Sequence, residues 1–184
     1  MDEFKLETVE AEPFGFLRLE ASLAEMSRTI GEGFIRLGEL FGKADVKMAG
    51  APYAHYISFE GSKAIFELGF PIAGVQEERL RMAGVEIGRT PDGQVLKGIH
   101  MGPYETVSKT YDSMGADLKR RHLQGTPDMW ERYYSPPGTP PEKTMTEVIW
   151  PIAAAGPMSG PTTCMIPGGR QHGRKVSDDP FRAR

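Results

Sequence analysis

The chain has 184 residues, of which 39% are hydrophobic and 26% charged, with a formal net charge of −3. That balance suits one domain, or two small modules sharing a core, and a mildly acidic chain argues against a nucleic-acid binder. Cys164 is the single cysteine, no apolar run nears the ~20 residues that span a bilayer, and the acidic N-terminus lacks the form of a signal peptide. These features exclude an intramolecular disulfide and point to a cytoplasmic location.

Phe14 to Leu19 alternates and reads as a strand. Ser22 and Glu25 then have the S-x-x-E spacing of a capping box, and Leu23, Met26, Ile30, Phe34, Leu37 and Phe41 follow at spacings of three and four. The pattern predicts an amphipathic helix ended by Gly42. Tyr53 to Phe59 and Ala64 to Ile72 read as strands joined by a Glu60-Gly61-Ser62 turn. Residues 74–84 are charged and bounded by glycine, and read as a linker. Val85 to Arg89 and Gln94 to His100 flank Pro91-Asp92-Gly93, which predicts a hairpin. Pro103 opens a second helix, whose apolar face is Tyr104, Val107, Tyr111, Met114 and Leu118. Met129 to Tyr134 and Thr144 to Ile152 are the last strands, separated by a proline-rich loop. Residues 156–184 have no periodicity, are rich in Gly, Pro and Arg, and read as a flexible basic tail.

One phrase occurs twice. Glu67, Phe70, Pro71, Ile72 and Ala73 return 80 residues later as Glu147, Trp150, Pro151, Ile152 and Ala153. Leu23 to Thr29 aligns with Tyr104 to Thr110 at an offset of 81, and Tyr56 and Ser58 align with Tyr133 and Ser135 at an offset of 77. Three blocks in the same order predict two copies of a strand–helix–strand–strand module, about 5–73 and 85–153, with a seam where a pocket can form.

Chemistry-bearing patterns are sparse. The four histidines are scattered without metal-ligand spacing, so no metal or cofactor is expected. No phosphate-binding glycine loop follows a strand, and no nucleophile elbow is present. Met129-Trp130-Glu131-Arg132-Tyr133-Tyr134 sets an acid among aromatics in one strand, with Met129, Glu131 and Tyr133 on one face and Trp130, Arg132 and Tyr134 on the other. Such a carboxylate either pairs with a nearby Arg or Lys on an open sheet face, or serves a cationic lipophilic ligand. Glu147 repeats as Glu67, which suggests scaffold. Glu131 aligns with Ala54, so the acid is confined to one half.

His100-x-Gly102-Pro103-Tyr104, a helix with Tyr111, Glu131-x-Tyr133 before a proline-rich loop, Thr146-Glu147-x-x-x-Pro151-Ile152 and Gly69-Phe70-Pro71-Ile72 together resemble the GyrI-like, or effector-binding, domain family over roughly residues 5–153. The resemblance implies an α+β fold: two SHS2-type modules about a pseudo-twofold axis, an antiparallel sheet with helices on one face, and a ligand groove between modules. It implies a stand-alone binder of lipophilic, cationic, drug-like molecules, with Glu131 as counter-charge and Tyr133, Tyr104, Tyr111, Phe16 and Trp130 or Trp150 as walls. The alternative it implies is a hydrolase of cyclopropane-bearing or related electrophilic toxins, using Glu131 and Tyr133. A third is a protein that binds and protects gyrase. Transcription-factor members carry a DNA-binding region, whereas this sequence opens at the first strand of the domain. Direct DNA binding is therefore not expected, and a transcription factor remains an alternative protein partner.

Overall fold

In the computed structural model, which describes residues 4–136 and 138–154, one antiparallel sheet runs through the whole domain. Its strands are β1 Lys5–Val9, β2 Pro13–Ser22, β3 Tyr53–Glu60, β4 Lys63–Pro71, β5 Glu86–Arg89, β6 Gly93–Met101, β7 Met129–Tyr133 and β8 Met145–Pro151. Among the described residues three α-helices accompany them: α1 Met26–Lys43, α2 Glu77–Met82 and α3 Val107–Arg120. The calls on residues 156–184 and Cys164 lie outside the described residues.

The strand order is β1-β6-β8-β7-β3-β4-β2-β5, so each half reads the same from its own edge inward. The register repeats as well. Phe14↔Pro71 in the first half recurs as Val95↔Pro151, and Tyr53↔Gly69 recurs as Trp130↔Ile149. These shifts equal the offsets of the repeated phrases. At the seam, β3 and β7 pair antiparallel, with Ala54 opposite Glu131 and Tyr53↔Arg132 and His55↔Trp130 on either side. Glu131 therefore sits where an approximate twofold axis would cross the sheet.

Alternation along each strand divides two apolar layers. Under the helices, Leu17, Leu37, Phe41, Phe70, Leu80 and Val85 form one cluster, and Leu96, Tyr111, Met114, Leu118, Met129 and Val148 form its counterpart. Between them lie Ala54, Tyr56, Phe66, Leu68 and Tyr133. The other face carries Phe14, Phe16, Tyr53, Val95, Trp130 and Ile149. Gly33 lets α1 approach closely, because a Cβ there would stand 2.7 Å from Leu68 Cδ1 and 2.8 Å from Leu19 Cδ1.

Three local expectations need correction. The Pro91-Asp92-Gly93 segment turns the chain, but β5 pairs with β2 instead of β6. The edge strand β1, a strand that the sequence reading did not contain, pairs with β6, so the two halves exchange their first strands. The segment 74–84 is more than a linker: it contains α2, whose Leu80 is fully buried against the first half. Burying one leucine contributes about 1.5–3 kcal/mol to holding this six-residue helix against the sheet. No side-chain cap forms at α1. Its helix begins after Glu25, and the Ser22 hydroxyl, still in β2, donates to the Glu25 carboxylate at 2.8 Å. Leu23 is consequently exposed at 53%.

Candidate functional site

The candidate site is built around Glu131, in the middle of β7, the central strand contributed by the second half. Its side chain points to the helix face and is buried, with 4% exposure. One carboxylate oxygen accepts a hydrogen bond from the Tyr111 hydroxyl of α3 at 2.8 Å. The other accepts from Tyr133 at 2.7 Å and lies 3.5 Å from the hydroxyl of Tyr56. The Tyr56 and Tyr133 hydroxyls are 3.2 Å apart. Among the described residues, no Lys, Arg or His forms an ion pair with this carboxylate within 4.0 Å. The open-face pairing with Arg or Lys is thereby excluded for the described residues.

Burial is the main influence on this acid and pushes its pKa above the ordinary value, while the Tyr133, Tyr111 and Tyr56 hydrogen bonds and the charge of His100 act the other way. Burial also carries Tyr56, Tyr111 and Tyr133 well above the usual phenol range, with the charge of Glu131 adding to it. These tyrosines are therefore proton donors to Glu131, not phenolates.

Aromatic rings close the site. Tyr133 is bracketed by edge contacts to Phe34 of α1 at 6.1 Å and to Tyr104 at 5.5 Å. Tyr104 begins the short 3-10 turn before α3, Tyr104–Thr106, and is 45% exposed, so it forms the outer layer over Tyr133. Trp150 meets Tyr111 edge-on at 6.2 Å. His100, buried beside the turn, bonds the Thr110 hydroxyl at 2.9 Å and Pro103 O at 3.1 Å through its two ring nitrogens. The fully buried Thr146 hydroxyl has no partner among the described residues. It stands on β8 between the Tyr133 and His100 positions.

The structure thus gathers Glu131, Tyr133, Tyr104, Tyr111 and Trp150 on one face. Trp130 and Phe16, expected as walls, lie in the cluster on the opposite face, because each falls on the other parity of its strand. Sequence reading missed Tyr56, His100, Phe34 and Thr146 as site residues. Tyr56 was within reach, since the repeat aligns it with Tyr133. Two surface cavities lie elsewhere. One, of about 250 Å³, runs along α3 past His100, and the other, of about 210 Å³, lies on the far face beside Arg132. No group of three or more His, Cys, Asp or Glu suited to a metal occurs among the described residues, and no described helix is long and apolar enough to cross a membrane.

Comparison with solved structures places this fold among known ones. The EcmrR C-terminal domain matches with a TM-score of 0.68 at 14% identity, over 84% of this chain and 99% of that one. A structure of SAV2435 bound to tetraphenylphosphonium matches with a TM-score of 0.59 at 13% identity, over 82% and 94%. A hydrolase from Listeria innocua matches with a TM-score of 0.59 at 14% identity, over 82% and 92%. Comparison with curated protein sequences gave no match. The GyrI-like small molecule binding domain model matches residues 2–153, the stretch that holds the whole sheet and the tyrosine-bound glutamate, and the chain belongs to that family.

Proposed function

We propose that this domain binds a lipophilic cation between α1 and α3, with Glu131 as its counter-charge. The observation that carries the reading is a buried carboxylate on the seam whose bonded partners among the described residues are tyrosine hydroxyls. Neutral donors satisfy the oxygens but leave the negative charge uncompensated in an apolar setting. A poorly hydrated organic cation supplies that charge at small desolvation cost, and the Tyr133, Tyr104, Phe34 and Trp150 rings offer faces and edges to it. Entry would require Tyr104 and its 3-10 turn to swing outward, the outermost and most exposed part of the aromatic layer.

Hydrolysis by the same residues is less well supported. A water poised for attack would have to take a lone-pair site that the Tyr111 and Tyr133 hydroxyls leave open on Glu131, a residue only 4% exposed. The test is calorimetric titration with tetraphenylphosphonium and, as a control of equal shape and opposite charge, tetraphenylborate. The cation is expected to bind saturably and the anion not at all. Glu131→Gln should weaken cation binding about tenfold or more, about 1.4 kcal/mol. Equal binding of both ions, or an unchanged affinity in Glu131→Gln, would remove the acid from this role.

A further inference from the structure

The far face of the sheet carries a second arrangement at the same seam, and the repeat makes its asymmetry visible. There His55 stacks on Trp130 at 4.0 Å and meets two carboxylates, Glu67 at 2.8 Å and Asp128 at 3.0 Å. The repeat offsets pair His55 with Arg132, Trp130 with Tyr53, and Glu67 with Glu147. The guanidinium of Arg132 lies over the Tyr53 ring, 4.9 Å from its centre, as His55 lies over Trp130. The counterpart of Asp128, however, is Ala51. Glu147 is engaged by the Tyr134 hydroxyl at 3.1 Å, and among the described residues no carboxylate pairs with Arg132 within 4.0 Å. The Arg132 Nε is buried without a hydrogen-bond partner.

The half-buried guanidinium of Arg132 has no carboxylate within 4.0 Å among the described residues, so a carboxylate brought from outside could pair with it. Beside it opens the cavity of about 210 Å³, which Lys97, paired with Glu7 at 3.0 Å, also lines. Glu10, Glu12 and Glu147 border the same space. At about 30 Å³ per water, its volume corresponds to roughly seven waters, the size of a small metabolite. A simple anion would face three acids, and a simple cation would face two bases.

We propose that this cavity is a second ligand site, for a small zwitterion whose carboxylate lies against Arg132 and Lys97 and whose ammonium lies against Glu10, Glu12 and Glu147. The ligand carboxylate takes the role at Arg132 that Asp128 takes at His55. Arg132 can receive it in a bidentate pair, and its guanidinium carbon lies 4.9 Å from the Tyr53 ring centre and 5.4 Å from that of Tyr134. The site is on the opposite sheet face from Glu131 and does not depend on the reading of that residue.

The site also has built-in reporters. The β1–β2 and β5–β6 connections that rim the cavity are hydrogen-bonded to each other, through Ala11 N to Asp92 at 3.2 Å and Thr90 N to Glu12 O at 3.0 Å. Titration of the ¹⁵N-labelled full chain with 4-aminobutyrate, butyrate and butylammonium, followed by amide NMR, tests the proposal. Saturable shifts centred on residues 9–12, 90, 92, 93 and 132 are expected with 4-aminobutyrate alone. Arg132→Met, and Glu12→Gln at an exposed position, should each weaken that binding, Arg132→Met by about tenfold or more. Three results would each overturn the proposal: no saturable shift, equal response to butyrate or butylammonium, or unchanged affinity in both variants.

Discussion

At the scale of single residues, the seam concentrates ionisable groups on both faces of the sheet and treats them in opposite ways. Glu131 is stripped of water and left with neutral donors, which pushes its pKa up. His55 is instead clasped by Glu67 and Asp128, and an imidazole bonds two carboxylates through both nitrogens only as the doubly protonated cation. Burial opposes that charge, but the Asp128 and Glu67 hydrogen bonds outweigh it and raise the pKa above 6.5. The hydrogen bond from His55 holds Asp128 down to about 2. Glu67 is held below its ordinary value by His55 and Arg18, against the effect of burial. The two titrations give stability at opposite ends of the pH scale. The His55 contribution is complete below the unfolded value near 6.5 and is lost as pH rises through the higher folded value; that of Asp128 is complete above about 3.8 and fades as pH falls towards 2. The urea midpoint of the wild type should therefore decline as pH rises above about 6.5, and His55→Gln should flatten that decline. A decline of equal size in both proteins would show that His55 is not its source.

At the scale of elements, α1 is held at short range by the absence of a side chain at one position and is indifferent to it at another. A methyl at Gly33 would press on Leu68 and Leu19, and Leu68 is fully buried with little room to yield. Around Gly38, on the same helix, nothing lies within 4 Å of the added carbon. Gly33→Ala should therefore cost about 1–3 kcal/mol of overpacking, which exceeds the gain in helix propensity, whereas Gly38→Ala should gain up to about 1 kcal/mol. Thermal midpoints shifted down for the first and up for the second are the expected result, and two upward shifts would mean that α1 does not need its close approach.

The same element shows what a sequence reading can reach. The strong periodicities of α1, α3, β2, β4 and β8 were visible because one face of each is buried continuously. β1 was not read as a strand because it is an edge strand exposed over most of its length, with polar residues on both faces. α2 was hidden because a single residue, Leu80, carries its burial amid charges. The strand exchange was invisible for a different reason: Pro91-Asp92-Gly93 specifies a turn, but which strand β5 then pairs with is decided by tertiary packing.

At the scale of the whole molecule, the two halves share one sheet, exchange their first strands and meet at Ala54 and Glu131. The repeat located that acid in advance, because a residue present in one half and facing an alanine in the other stands out against a repeated scaffold. Alternation also separated Trp130 from Glu131, a division that the expected pocket walls did not respect. Tyr56 follows the same logic, since it meets its repeat partner Tyr133 hydroxyl to hydroxyl across the seam. On the proposed reading, the ionised carboxylate assembled at this seam recruits a cation. The most direct test is the tetraphenylphosphonium dissociation constant measured from pH 4 to 8, in the wild type and in Glu131→Gln. Protonating Glu131 removes the counter-charge, so wild-type affinity should fall as pH is lowered through a midpoint above 4.5, and the variant should show a flat, weaker profile. Parallel profiles for the two proteins would contradict the account.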